Sequence, residues 1–370
     1  MARERIGILF GGKSGEHEVS LVSAASVMKH LKTERFEPVM IGIDRDGRWY
    51  LQDDIKVETA TGRLILQKNP DRRVYAMPGD GLWSGGSSLE LDVVFPVLHG
   101  TFGEDGTVQG VLEIADLPYV GAGVLGSSLS MDKASVKRIW LKVGLSVVPF
   151  VLALKSELYS EDGSFDGESF EKVRKRAEKD FSYPLFVKPS RAGSSVGVSR
   201  AENAEELARS LQEAARYDVK VMIEPEIRGR EIECSVIGNE TVEAFVPGEI
   251  VPTHGFYDYE AKYVDPDGAE LLIPASLDET EQEEVKKISM LAYKAAEAEG
   301  MARIDCFLEK SSGKVYLNEI NTIPGFTSIS MFPKLCEASG LAYPDLLARV
   351  VDLAYERHSR QASLTYQLLR

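Results

Sequence analysis

The sequence predicts an α/β protein, and three stretches carry that expectation. Residues 5–10 form an apolar strand, Gly11-Gly12 turn the chain, and Glu18 to Lys32 follow with a helical pattern through Val19, Val22, Ala25, Val27 and Leu31. Strand, glycine turn and helix are the start of an α/β layer. A second unit begins at Val147, with a strand to Leu154, a charged helix over Ser169 to Lys179 and a strand from Pro184 to Lys188. Finally, Arg303 to Gly325 alternates apolar and polar residues on both sides of Ser311-Ser312-Gly313, which reads as a β-hairpin with a short glycine-containing loop. At 370 residues the chain is long enough for two or three domains with their own cores.

Composition narrows the function classes. The chain has 44% hydrophobic and 27% charged residues, and 43 basic against 58 acidic side chains give a net charge of -15. Such a balance argues against a duplex-binding surface, and no nucleic-acid partner is expected. The basic run Lys172 to Arg176 is interleaved with Glu171 and Glu178 at helical spacing and reads as a solvated face. No apolar run approaches the roughly 20 residues that span a bilayer, so no membrane partner is expected. The opening residues run straight into a strand without a signal-like core. Cys234, Cys306 and Cys336 are few, odd in number and not in metal-ligand spacing, as for buried thiols in a reducing compartment. The expected location is cytoplasmic.

Taken in order, the first strand and helix are followed by a strand from Glu37 to Ile43, a turn at Asp44-Arg45-Asp46-Gly47, and a turn-rich region from Asp53 to Gly86 with little periodicity. Gly7 to Ser14 matches G-x-x-x-x-G-K-S/T letter for letter. Its intervening Ile8-Leu9-Phe10 belong in the strand rather than in a polar phosphate loop, so the match is rejected. Leu91 to Leu98 is a buried strand ending at His99, where α/β folds gather functional loops. His99 is either a site residue or a histidine satisfying a loop carbonyl, and spacing alone does not separate the two. Gly121 to Gly126 matches G-x-G-x-x-G, but no acidic residue follows about 20 positions on, so a dinucleotide site is poorly supported.

Ser128 to Val143 reads as one helix with Lys133 in its first turns. The loop after Lys188, with Gly193 and Gly197 bracketing Ser194 and Ser195, can fold over phosphates with Lys188 as a nearby cation. After a helix from Glu205 to Ala215 and a strand from Val219 to Ile223, Glu224 and Glu231 are either acceptors for an adenine and ribose or solvated surface carboxylates. Pro252 to Pro274 has aromatics but no period, and loops of that length are often lids. Glu281 to Glu299 is an amphipathic helix and Tyr343 to His358 a terminal one.

The hairpin carries the most specific local chemistry. If Lys310 faces Lys314, Asp305 lies opposite Glu319 and Arg303 opposite Asn321, all on one face. Facing carboxylates destabilise a sheet unless a cation sits between them. Asp, Glu and Asn oxygens suit Mg²⁺, which is commonly held by one or two carboxylates together with nucleotide phosphates. Thr322-Ile323-Pro324-Gly325 then leaves the strand in a turn able to aim a backbone N–H at a substrate.

Taken together, Gly11 to Ser20, His99-Gly100 with Gly103 to Gly106, Met131-Asp132-Lys133, Lys188 to Gly197, Tyr257 to Tyr263, Arg303 to Asp305 and Asn318 to Ser330 closely resemble the D-alanine:D-alanine ligases of the ATP-grasp superfamily. The resemblance covers nearly the full chain. It implies an α/β (α+β) molecule with an amino-terminal Rossmann-like domain over 1–130, a central domain over 131–227 and a catalytic domain over 228–370 with a lid at 252–274. The implied reaction joins two D-alanines at the expense of ATP through a D-alanyl phosphate, for peptidoglycan precursors. Lys133, Lys188 and Ser195 match phosphate contacts, and Glu224 and Glu231 match adenine-side and ribose contacts. Asp305, Glu319 and Asn321 match ligands of two Mg²⁺, with Asn318 beside them. Manganese can replace magnesium in this reading, and a monovalent cation such as K⁺ is a further option.

Glu16 matches the residue holding the first substrate's ammonium, joined in the family by a hydrogen-bonded chain to Ser194 and to Tyr263 on the lid. Lys262 would approach the γ-phosphate. Arg303 and the Gly325 N–H are oxyanion donors in this scheme, and Ser330 and Met331 receive the second substrate's carboxylate and methyl. Tyrosine at 263 points to the dipeptide product. The sequence departs from many relatives at Pro225-Glu226, where they carry lysine and an aromatic residue. A homodimer is expected from the family. The alternatives are a D-alanine:D-lactate or other carboxylate-amine ligase of the same superfamily, and a nucleotide-binding regulator without turnover.

Overall fold

Three larger sheets follow one another along the chain in the computed structural model, which describes residues 3–252 and 269–366. Lys262, Tyr263 and most of the expected lid lie outside the described residues. In the first sheet the strands run in the order Trp49–Leu51, Phe36–Ile43, Glu4–Gly11, Val93–Val97. Glu4–Gly11 pairs in parallel with both neighbours, and helix His17–His30 makes the crossover that parallel pairing needs. Ile6, Ile8, Leu9 and Phe10 are all buried, the continuous apolar run of a strand covered on both faces. Ile8 to Phe10 therefore lie inside the strand, which is why the phosphate-loop pattern there is accidental. The turn-rich region contains a small antiparallel sheet of Val74–Ala76, Leu82–Ser84 and Ser87–Ser88.

The second sheet is antiparallel, in the order Ser199–Ala201, Leu185–Pro189, Lys220–Pro225, Val151–Leu154. Helices Gly167–Glu178 and Ala204–Ala214 contribute Phe170, Val173, Leu207 and Leu211 to its core. The third sheet runs Ala269–Leu272, Gly248–Pro252, Gly229–Gly238, Gly300–Glu309, Val315–Asn321. Ala269–Leu272 falls inside the segment expected to be a lid, yet it is a strand paired with Gly248–Pro252. Four residues are too short a window for a period-two pattern to register in sequence.

The single helix expected over Ser128 to Val143 is two, Val124–Met131 and Lys133–Lys142. Asp132 leaves helical geometry between them and accepts the Ser135 N–H at 3.0 Å, capping the second helix. That second helix buries Trp140 in the core of the third sheet, where the indole donates to the Ala292 carbonyl at 2.9 Å. The terminal helix Tyr343–Ala362 reaches back to the first domain through buried Arg357, which donates to the carbonyls of Tyr119 at 2.9 Å and of Gly121. Gly121 has φ +99°, and a Cβ on Gly126 would run into the Glu297 carbonyl, so this glycine motif serves close packing.

Candidate active site

A cleft of about 480 Å³ opens between the second and third sheets, lined among others by Lys133, Lys188, Ser194, Ser195, Asn318 and Glu319. Lys133 starts the capped helix, and its ammonium donates to the Ala192 carbonyl at 2.8 Å and pairs with Glu319 at 3.1 Å. Burial opposes its charge, but Glu319 more than compensates and the pKa rises. Asp132 anchors the start of this helix by accepting Ser190 Oγ at 2.8 Å and Lys220 Nζ at 2.6 Å. From the strand Leu185–Pro189, Lys188 Nζ reaches Glu224 at 2.7 Å and Asn318 Oδ1 at 2.9 Å.

The loop after Lys188 carries Ser194 and Ser195 with φ of +49° and +58°. Left-handed backbone at two consecutive serines is costly and is typically held at functional sites. Ser194 Oγ donates to Glu16, which brings the first domain to this loop. Glu16 is buried, and a Cβ on either Gly100 or Gly193 would strike its carboxylate, so both glycines are required by close approach.

His99 does satisfy a loop carbonyl. Its Nδ1 lies 2.9 Å from the Ile323 carbonyl and its Nε2 3.1 Å from Ser23 Oγ. Burial lowers its pKa. Glu104 completes the same clamp, accepting the Gly100 N–H at 2.8 Å and the Ile323 N–H at 3.3 Å. Burial and then the neighbouring Glu16 carboxylate push Glu104 up to about 8. Ile323 is thus held at both N–H and C=O, directly before Pro324-Gly325.

In the hairpin, Asp305 pairs with Glu319 and Arg303 with Asn321 as expected, but the premise that Lys310 faces Lys314 fails, because the loop end pairs Leu308 with Val315, one residue out of that register. Beyond that point the register slips by one, because Cys306 faces Leu317 and Phe307 faces Tyr316. The extra residue is Asn318. A bulge of this kind opposes two residues to one, and it turns Asn318 to the cleft beside Glu319 instead of to the far face. Arg303 holds Asp305 through Nε and Nη2, both at 2.7 Å, and reaches Glu233 at 3.0 Å. Burial works against the guanidinium, but these carboxylates raise its pKa well above the ordinary value. Asn321 Nδ2 donates to Asp305 at 3.0 Å.

The donor set of Asp305, Glu319 and Asn321 fits a magnesium that completes its shell with phosphate and water. Among the described residues no group of three or more His, Cys, Asp or Glu side chains forms a cage of its own. After the hairpin, Ser330 Oγ accepts the Thr327 N–H at 3.0 Å, and a Cβ on Gly325 would meet that hydroxyl. Met331, expected at the second substrate's methyl, is buried, and Gly248 leaves room for its sulfur.

Glu231 lines the cleft as expected, beside Pro225 and Glu226. Glu224 also lines it, but the carboxylate is engaged by Lys137 and Lys188. Burial would raise the Glu224 pKa, yet the two lysines hold it below the usual carboxylate range. Lys137, Glu104, Asp132 and Glu233 were absent from the sequence-derived site. Arg230, paired with Glu249 at 2.8 Å across the cleft floor, was absent too. Only the runs Gly103 to Gly106 and Met131-Asp132-Lys133 gave a signal for any of them.

Comparison with known proteins gives matches over most of the chain. Family profiles described as the N-terminus and C-terminus of D-ala D-ala ligase match residues 5–122 and 139–352. A D-alanine–D-alanine ligase from Treponema denticola is 48% identical over 369 residues, covering 97% of this chain and 98% of the relative. Among solved structures, the D-alanine-D-alanine ligase from Coxiella burnetii superposes with a TM-score of 0.81 at 35% identity, covering 98% of this chain and 97% of that one. The VanG D-Ala:D-Ser ligase from Enterococcus faecalis gives 0.80 at 32% identity, covering 95% and 100%.

Proposed function

The chain belongs to the D-alanine–D-alanine ligase family, and from that premise we propose that it joins two D-alanines to D-alanyl-D-alanine with ATP, as a step towards peptidoglycan precursors. The observation that carries the reading is the convergence of Lys133, Lys188, Asn318 and Glu319, from three separate elements, on one cleft beside the Glu16–Ser194 contact.

In the proposed reaction a carboxylate oxygen of the first D-alanine bonds to the γ-phosphorus of ATP, and the bond to ADP breaks. The second D-alanine's amine, having lost a proton, attacks the acyl carbon, and phosphate leaves. Phosphoryl transfer of this kind depends mainly on position and charge. Glu16 binds the first ammonium, and Lys133, Lys188 and the Ser195 loop orient the phosphates. Glu231 takes the ribose and Glu224 the adenine side. Arg303 and the Gly325 N–H face the developing oxyanion, and Ser330 and Met331 receive the second substrate's carboxylate and methyl. Lys262 and Tyr263 are assigned to closure over the γ-phosphate and to the Glu16–Ser194 chain. Two Mg²⁺ held by Asp305, Glu319 and Asn321 would neutralise charge on the transferred group.

The divisions 1–130, 131–227 and 228–370 and a homodimer complete the proposal. A cytoplasmic site of action is supported by the three buried free thiols. A second reading, with D-serine as the second substrate, draws on the likeness to the D-Ala:D-Ser ligase. Phosphate release from Mg-ATP with D-alanine alone, and with D-serine or D-lactate added, separates these readings when the product is identified by mass. D-alanine-dependent release of phosphate and dipeptide is the expected result. ATP binding without any D-alanine-dependent product overturns it.

A further inference from the structure

Lys137 has no part in the chemistry above, yet it is fully buried, and its ammonium pairs with Glu224, which lines the cleft. It lies four residues after Lys133, so both side chains leave one face of the helix Lys133–Lys142. Lys133 reaches Glu319, whereas Lys137 pairs with Glu224 Oε1. The other Glu224 oxygen takes Lys188 at 2.7 Å, and Lys188 continues to Asn318 at 2.9 Å. One chain of charge-assisted contacts therefore runs from the helix through two neighbouring strands of the second sheet to the bulge of the third. Burial opposes the charge on Lys137, pushing its pKa down to about 7 against the pull of Glu224. A buried ammonium is tolerated only where a partner is well placed, and Glu224 is that partner. Trp140, on the same helix, is pinned in the core of the third sheet, so the helix cannot swing to let Lys137 reach solvent.

We propose that Lys137 is a positioning residue of the nucleotide cleft: it holds Glu224 in place so that Glu224 keeps the Lys188 ammonium aimed at the phosphates. The inference rests on the reading of the cleft as the ATP site. Lys137 itself touches no nucleotide and acts only through Glu224.

The test compares wild type with Lys137→Met, Lys137→Arg, Glu224→Gln and the Lys137→Met/Glu224→Gln double variant. Each is measured by calorimetric titration with Mg-ADP, by phosphate release at saturating D-alanine with Mg-ATP varied, and by thermal melting. Lys137→Met is expected to raise the Mg-ADP Kd and the KM for ATP about tenfold, with kcat changed by less than about threefold, and Lys137→Arg to recover most of the loss. The double variant is expected to bind no more weakly than Glu224→Gln alone, because residues acting through one contact are not additive. Binding by Lys137→Met within about threefold of wild type, or losses that multiply in the double variant, overturn the proposal. If Lys137→Met does not fold, the double variant removes both buried charges together, and its comparison with Glu224→Gln still decides. Absence of D-alanine-dependent turnover in wild type would count against the ligase reading alone, since the Mg-ADP titration reports on Lys137 independently.

Discussion

At the scale of single residues, the site is shaped as much by missing side chains as by present ones. Gly193 and Gly100 exist to let the Glu16 carboxylate sit against the backbone. Gly193→Ala is expected to raise the KM for D-alanine and to lower kcat/KM on the order of 10²-fold, the cost of about 1 Å of misplacement. Steady-state kinetics with D-alanine varied check this, and an unchanged KM would show that Glu16 does not hold the substrate. Arg303→Met removes the partner of two buried carboxylates, so activity is expected to fall on the order of 10²–10³-fold. Stability is expected to drop by about 3–5 kcal/mol in denaturant titration. Glu104 gives a pH signature. Its pKa is raised to about 8 in the folded state, so the native protein binds a proton that the unfolded chain releases near the ordinary carboxylate range. Stability from this group is complete below the unfolded value and is lost as pH rises through about 8. The Tm of wild type is therefore expected to decline between those limits, and Glu104→Gln, which cannot ionise, to decline less. None of these roles was readable from neighbouring letters, because His99 clamps a carbonyl 224 positions away and Lys137 a carboxylate 87 positions away.

At the scale of elements, two local irregularities aim the site. The bulge at Asn318 places two consecutive polar residues on one face of a strand, which strict alternation forbids. Asp305 faces Glu319 as expected, but only through this bulge: the loop end pairs Leu308 with Val315, a register that strict alternation would carry to Asp305 opposite Asn318. The bulge itself was not legible, because counting by twos carries no term for an inserted residue. Asp132 is the second device. As the cap of the helix bearing Lys133 and Lys137, it also accepts Ser190 and Lys220. Asp132→Ala is expected to cost about 1 kcal/mol for the cap alone and to raise the KM for ATP, because both lysines start from that turn. Burial opposes ionisation of Asp132, but Lys220, Ser190 and the Ser135 N–H lower its pKa overall. Its contribution is therefore present above the unfolded value and lost as pH falls through the folded one. Acid titration of Tm should be shallower for Asp132→Asn than for wild type.

At the scale of the molecule, the terminal helix binds the ends of the chain together. Arg357 is buried against the Tyr119 ring at 4.0 Å and serves two carbonyls of the first domain. Arg357→Met keeps much of the bulk and leaves both carbonyls without this donor, a loss of about 2–4 kcal/mol. Calorimetry should show the Tm falling, while kinetics at a temperature where the variant is folded stay near wild type.

By itself the sequence determined the α/β class, the opening strand and helix, the facing of Asp305 and Glu319, the family and the principal cleft lysines. The class, the opening unit and the hairpin are written in local periodicity and spacing, and the family and the lysines in the order of motifs along nearly the full chain. Only the tertiary structure decided that Glu224 is held between two lysines, that His99 and Glu104 clamp Ile323, that Met331 packs inward, and that Lys137 is buried against Glu224. Those outcomes depend on which distant side chains burial brings together. A buried charge or carbonyl must find a partner in three dimensions, wherever along the chain that partner lies.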